Sequence, residues 1–167
     1  MSTTTASTPT ASNTLLLRRQ LAELTKHPVE GFSAGLADEN NYYDGIEGGF
    51  FKARLTFPPE FPLLPPKLRF ITPMWHPNIY PDGVVCISIL HAPGDDQYGY
   101  EDAGERWVPV HTVESILLSV ISLLSSEKPN LDSPANVDAA KEVRTDFAAY
   151  KKKVRRLVRR SAEEVFE

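Results

Sequence analysis

Five prolines, Pro58, Pro59, Pro62, Pro65 and Pro66, fall within residues 57–66. Each has φ fixed and no amide hydrogen to donate, so this stretch can be neither a helix nor a central strand. It is a stiff loop that displays Leu63 and Leu64. The segments on either side alternate. Phe51, Ala53, Leu55 and Phe57 share one face opposite Lys52, Arg54 and Thr56, and Leu68, Phe70 and Thr72 repeat the period of two. Two half-buried strands joined by a rigid loop are therefore expected. The leucines on the loop are either core residues or partner contacts, and the pattern fits both.

Helical periodicity brackets this region. Leu17, Leu21 and Leu24 recur at steps of four and three before Pro28, opposite Arg18, Arg19 and Glu23, which predicts a helix over about 14–26. Residues 1–13 are small and polar, without the apolar area that repays ordering, and are expected to form a disordered tail ahead of one domain over 14–167. Thr112 has the position of an N-cap for a core helix through Val113, Ile116, Leu117, Val120, Ile121 and Leu124, ended by Pro129. A further helix starts near Asn136 with Ala139, Ala140 and Val143 inward. The last starts near Asp146 with Phe147, Tyr150, Val154, Leu157 and Val158 inward. Its other faces hold Lys151, Lys152, Lys153, Arg155, Arg156, Arg159 and Arg160. These cations read first as a solvated surface favoured by a helix C-terminus, and more sharply as a surface for an acidic partner or a membrane.

Between the strands and the core helix lies the only cysteine, Cys86, behind the turn Pro81-Asp82-Gly83 and flanked by Val85 and Ile87. One cysteine cannot form an intramolecular disulfide and no N-terminal apolar run resembles a signal peptide, which together fit a reducing intracellular compartment. A net charge of −4 and a pI near 5.6 argue against general nucleic-acid binding. No apolar run approaches the length of a membrane span.

A thiol of ordinary pKa, about 8.5, is already a competent acyl acceptor. Asn78, eight residues upstream, supplies a neutral amide that can donate to a developing oxyanion if the chain doubles back at the turn. The plain alternative is a small buried hydrophobe. A Cys–His hydrolase drawing on His76, His91 or His111 is weaker, because no local nucleophile signature accompanies the cysteine. A zinc site has no ligand spacing. Residues 91–106 gather Asp95, Asp96, Glu101, Asp102 and Glu105 in a surface loop five residues after Cys86, either simply solvated or setting the field at the thiol. A calcium-loop spacing is absent.

The ordered set Phe61-Pro62-Leu63-Leu64-Pro65-Pro66-Lys67, His76-Pro77-Asn78, Gly83-Val84-Val85-Cys86-Ile87-Ser88-Ile89-Leu90 and Trp107-Val108-Pro109 resembles ubiquitin-conjugating enzymes, from about Leu15 to the C-terminus. The 91–106 insertion and residues 133–140 resemble the G subclass, which carries an acidic loop beside its active site. The resemblance implies an α+β fold with an N-terminal helix, an antiparallel meander sheet, a central helix and two C-terminal helices. It implies that Cys86 takes ubiquitin from the activating enzyme as a thioester and passes it to a lysine. Asn78 would steady the oxyanion or the active-site loop, and His76 and Pro77 would hold that loop's shape. Ser88 and Ser133 stand where many members have acids, so Asp132 or the acidic loop (Asp95, Asp96) would take over the lysine proton. Leu63, Pro109 and Val110 match ligase-binding positions, and Arg18 and Arg19 match those read by the activating enzyme.

The same resemblance implies a RING-type ligase as partner, a monomer in the cytoplasm and also in the nucleus, and degradative chains. It implies no bound cofactor, ATP being consumed by the activating enzyme. One departure stands out: residues 40–46 lead almost directly into Glu47-Gly48-Gly49, where relatives have a first strand and turn. About a dozen residues, one strand plus its turn, are missing by this reading. Three strands are then expected instead of four, with a new edge at residues 49–57 and a less stable domain. A non-catalytic ubiquitin- or ligase-binding scaffold is the alternative function.

Overall fold

A computed structural model describes residues 11–32, 49–92, 94 and 105–165. The elements run α1 (Ala11–Lys26), β1 (Ala53–Thr56), β2 (Lys67–Phe70), a 3₁₀ turn (Ser88–Leu90), α2 (Val113–Ser125), α3 (Val137–Thr145) and α4 (Phe147–Val165). The order and type agree with the α+β expectation. α1 begins three residues before the sequence pattern places it, at Ala11.

β1 and β2 pair antiparallel with Ala53 opposite Phe70 and Thr56 opposite Lys67. Among the described residues the sheet has two strands, not three. The third position is held only by a bridge between Arg69 and Val84. The reason is that Val84 and Val85 divide their bonding. The amide of Val85 donates to Leu68 of β2 at 2.9 Å, while Val84 accepts from Tyr80 at 2.8 Å and Val85 bridges Ile79. The chain thus curls into a tight hairpin over 78–86 rather than extending along β2. Gly83 makes the hairpin possible. It has φ +96°, and a Cβ there would lie 2.1 Å from the carbonyl oxygen of Phe70, which itself accepts no room for a side chain.

Trp107, fully buried, anchors the core with Phe51, Phe61, Ile79 and Ile116. The proline-rich loop is fastened to it: Trp107 Nε1 donates to the Pro62 carbonyl at 2.9 Å, and Phe61 packs edge-on to Phe57 at 4.9 Å. Phe61 and Pro66 go inward, so the loop's burial is already provided and Leu63 stays 67% exposed. α2 starts where the sequence places it. Thr112 accepts from the amide of Ser115, the Ser115 hydroxyl accepts from the amide of Thr112, and Val113, Ile116, Leu117 and Val120 are buried. Gln20 of α1 accepts from the amide of Val113 at 3.1 Å, tying the first helix to the start of the central one.

α4 departs from expectation in two ways. Phe147 is 41% exposed, stacked on the buried Tyr150 with Lys151 Nζ 4.9 Å above its ring. The helix also runs on to Val165, so the cations at 151–160 occupy its middle, its last turn holds no base, and Glu163 and Glu164 lie at the C-terminal end. The macrodipole therefore does not favour this charge order. Lys151–Arg155, Lys152–Arg156, Arg155–Arg159 and Arg156–Arg160 are like-charge pairs at i,i+4, each costing roughly 0.2–0.5 kcal/mol.

The packing separates two neighbouring positions on α2. Ile116→Ala is expected to lower unfolding free energy by about 3 kcal/mol in denaturant titration, whereas Leu118→Ala, on the exposed side, should change it by less than about 0.5 kcal/mol. Equal losses would show that this face assignment is wrong.

Candidate active site around Cys86

The site is built on residues 76–78. Pro77 is fixed in φ, and His76 turns back so that its Nδ1 accepts from the amide of Asn78 at 3.0 Å while its carbonyl accepts from Ile79 at 3.2 Å. His76 is buried. Desolvation lowers its pKa from 6.5 to about 4, opposed in part by a hydrogen bond to the backbone of Leu123. At neutral pH it is an uncharged brace.

Asn78 reaches in two directions. Its carbonyl accepts from the amide of Cys86 at 2.8 Å, and its Nδ2 donates to the carbonyl of Asn130 at 3.0 Å. The hairpin thus brings the eight-residue separation of Asn78 and Cys86 down to one backbone bond, as the turn signal requires. The loop over 126–136 is then held at several points. Asn130 Oδ1 accepts from the amide of Asp132 at 2.9 Å, Arg144 donates to the Leu131 carbonyl at 2.7 Å, and the amide of Asn136 donates to the Pro77 carbonyl at 2.9 Å. Asn136 also caps α3 by accepting from Ala139 at 3.0 Å. Ser133 sits in the left-handed region, at φ 52°, and Asp132 is exposed on this tethered loop. Asn78 Oδ1 and Asn136 Nδ2 are buried with no hydrogen-bond partner among the described residues.

Cys86 is half-buried, with Sγ 3.5 Å from His91 Nε2. The 3₁₀ turn makes this approach. Leu90 donates to Ile87 at 3.0 Å and His91 to Ser88 at 2.9 Å, folding the imidazole back over the thiol. The His91 carbonyl in turn accepts from the amide of Trp107 at 3.0 Å, so the insertion leaves and returns through one backbone bond next to the thiol. Asp95 and Asp96 lie outside the described residues. His111 packs against Trp107, ring centroids 5.6 Å apart. Among the described residues no three His, Cys, Asp or Glu side chains cluster as metal ligands.

Sequence reasoning brings Cys86 and Asn78 together, weighs His91 only as a hydrolase partner, and leaves out Asn130, Asn136 and Arg144. His91 was visible only as one of three histidines, since a 3₁₀ turn three residues long leaves no periodic trace. The other positions are exposed outside this hairpin's residues. Leu63, Pro109 and Val110 are all exposed, Val110 at 84%, on two loops that Trp107 joins through its bond to Pro62. Arg18 and Arg19 are exposed on α1.

His76 makes stability depend on pH. Its folded pKa lies below that of the unfolded chain, so the unfolded state takes the proton first, and stability falls as pH drops from about 6.5 to about 4. The contribution lost is about 3 kcal/mol. In His76→Gln this segment of the pH–stability curve should flatten, as read by denaturant midpoints at matched pH values; an unchanged slope would mean that other groups cause it.

The family profile described as ubiquitin-conjugating enzyme matches residues 16–158. The chain is 57% identical to ubiquitin-conjugating enzyme E2 15 of Schizosaccharomyces pombe, with 93% of this chain and 98% of the relative covered. It is 50% identical to human ubiquitin-conjugating enzyme E2 G2, with 87% and 95% covered. Among solved structures it is similar to human ubiquitin-conjugating enzyme E2 G1, with a TM-score of 0.56 and 51% identity over 67% of this chain and 93% of that one. The fission-yeast alignment spans 166 positions but draws on 93% of 167 residues, about 155, so about eleven of its positions have no counterpart here. That shortfall has the size of the strand and turn missing from the sequence, a departure whose residues 40–46 lie outside the described ones. With the motifs, the fold and the hairpin around Cys86 in agreement, the chain belongs to the ubiquitin-conjugating enzyme family, and within it resembles the G subclass.

Proposed function

We propose that Cys86 carries ubiquitin as a thioester and delivers it to substrate lysines with a ubiquitin ligase of the RING type, building degradative chains. The observation that carries this reading is the half-exposed thiol, hung by its amide from Asn78 and approached by His91 at 3.5 Å. In charging, Cys86 Sγ attacks the thioester carbonyl on the activating enzyme, whose thiol leaves. ATP is spent on that enzyme, and no cofactor is bound here. In discharge, the lysine nitrogen attacks the Cys86 thioester, the Cys86 thiolate leaves, and the ammonium proton passes to a carboxylate. Asp132 and the acidic loop (Asp95, Asp96) fill that last role in place of Ser88 and Ser133.

Asn78 serves discharge mainly through the loop that it braces. One Nδ2 hydrogen is committed to Asn130, and the second is the one offered to the oxyanion. His76 holds the turn. Leu63, Pro109 and Val110 receive the ligase and Arg18 and Arg19 the activating enzyme, each supported by exposure and by its place in the motif. The chain acts as a monomer in the cytoplasm, and in the nucleus as well. A scaffold without transfer activity is the second reading, favoured by the roughly eleven positions missing relative to the fission-yeast protein.

Incubation with activating enzyme, ubiquitin and ATP is expected to yield an adduct released by reductant, replaced in Cys86→Ser by one that reductant leaves intact. Folded protein that forms no adduct would favour the scaffold. Asn78→Ala should charge normally yet discharge onto free lysine about 10²-fold more slowly. Asp132→Ala, Asp95→Ala and Asp96→Ala are each expected to slow discharge by about tenfold without changing charging; wild-type discharge in all three would remove these carboxylates from the mechanism.

A further inference from the structure

The cations of α4 form one exposed stripe. At 100° per residue, Lys151, Arg155, Arg159, Lys152 and Arg156 cover one side of the helix, opposite Tyr150, Val154, Leu157, Val158 and Ser161, which face the protein. From Lys152 to Arg159 the stripe is about 10 Å long. No acid occurs between Phe147 and Ala162.

Some of the basic residues of this helix are engaged within the chain. Lys151 lies over Phe147, Lys153 Nζ is 3.2 Å from the Trp75 ring centroid, and Arg160 pairs with Glu164 at 3.1 Å. Lys152, Arg155, Arg156 and Arg159 are exposed, and among the described residues no carboxylate meets them. A merely solvated helix face usually interleaves the two signs at i,i+4, where they attract. Here the four charged pairs at i,i+4 between residues 151 and 160 all repel, an acid standing at i+4 only of Arg159 and Arg160, and the stripe sits where the helix dipole gives it no compensation. The local charge also opposes the net charge of −4. Repulsion of this kind is relieved by a polyanion from outside.

We propose that this stripe docks the protein on an anionic membrane surface, with lipid headgroups as its counter-charges. The stripe is exposed and contains no apolar side chain, so it lacks the apolar centre of a specific protein interface. The overall acidity, a net charge of −4 with a pI near 5.6, is unlike a nucleic-acid binder. A plane of acidic headgroups needs only clustered cations on an amphipathic helix. Because the apolar face of α4 is used in packing, association is electrostatic, reversible and without insertion.

The test is sedimentation of the full chain with vesicles of phosphatidylcholine alone, or with about one third phosphatidylserine, at about 0.1 M salt. Binding is expected only to the phosphatidylserine vesicles, and about 0.5 M salt should abolish it. Changing Lys152, Arg155, Arg156 and Arg159 together to Gln should weaken it at least about 100-fold, as each cation near such a surface contributes about fivefold. The thermal midpoint of this variant should equal or exceed that of the parent, since repulsion has been removed, and its charging with ubiquitin should be unchanged. The proposal is overturned if the full chain does not sediment, if neutral vesicles bind it equally, or if the folded variant binds as well as the parent. It is also overturned if polyglutamate or a DNA duplex binds more tightly than the vesicles and displaces them, which would assign the stripe to an acidic protein or to nucleic acid.

Discussion

Burial of Trp107 ties together three separate parts of the described structure. Its ring nitrogen holds the Pro62 carbonyl, its backbone amide holds the His91 carbonyl, and its ring lies among Phe61 and His111. An apolar group with no exposed surface thereby fixes three features that meet solvent: the proline-rich loop, the base of the acidic insertion and the exposed residues 108–110. The hydrogen bond from the indole is not optional, because a buried N–H without a partner costs about 1–3 kcal/mol. The stiff loop supplies that partner at a carbonyl preceding Leu63, so the same geometry that satisfies the core leaves Leu63 outward.

The active site is assembled chiefly from main-chain groups. Asn78 meets Cys86 through its carbonyl, Asn136 meets Pro77 through its amide, and His76 meets Asn78 through the ring nitrogen that burial keeps unprotonated. Such bonds position the thiol without placing any charge beside it. Neutral supports of this kind suit a thioester, which must survive in water until an amine arrives and must then react quickly.

Helices and strands were legible where the side-chain period is sustained. Leu17, Leu21 and Leu24, the capped run from Thr112, and the alternation from Phe51 to Phe57 all predicted elements that exist. Cys86 and Asn78 were legible because a Pro-Asp-Gly turn separates them. What escaped were contacts made by short or irregular backbone. His91 arrives by one 3₁₀ turn, Asn136 acts through an amide that every residue possesses, and Val84 and Val85 share their bonds between two neighbours instead of forming a strand. Phe147 fits the apolar period but stands at the first position of α4, where it stacks on Tyr150 and stays exposed. The α4 charges misled it because the helix extends past them to Val165.

The bond between the His91 carbonyl and the Trp107 amide has a consequence for how such a chain can change. Chain closure there is already achieved by the core, so lengthening or shortening the insertion alters only loop entropy. A doubling of its length costs about 0.6 kcal/mol. Neither the Cys86 hairpin nor the core has to move. The acidic segment is in this sense a cassette: its length is free to vary between descendants while the thiol and its supports stay in register.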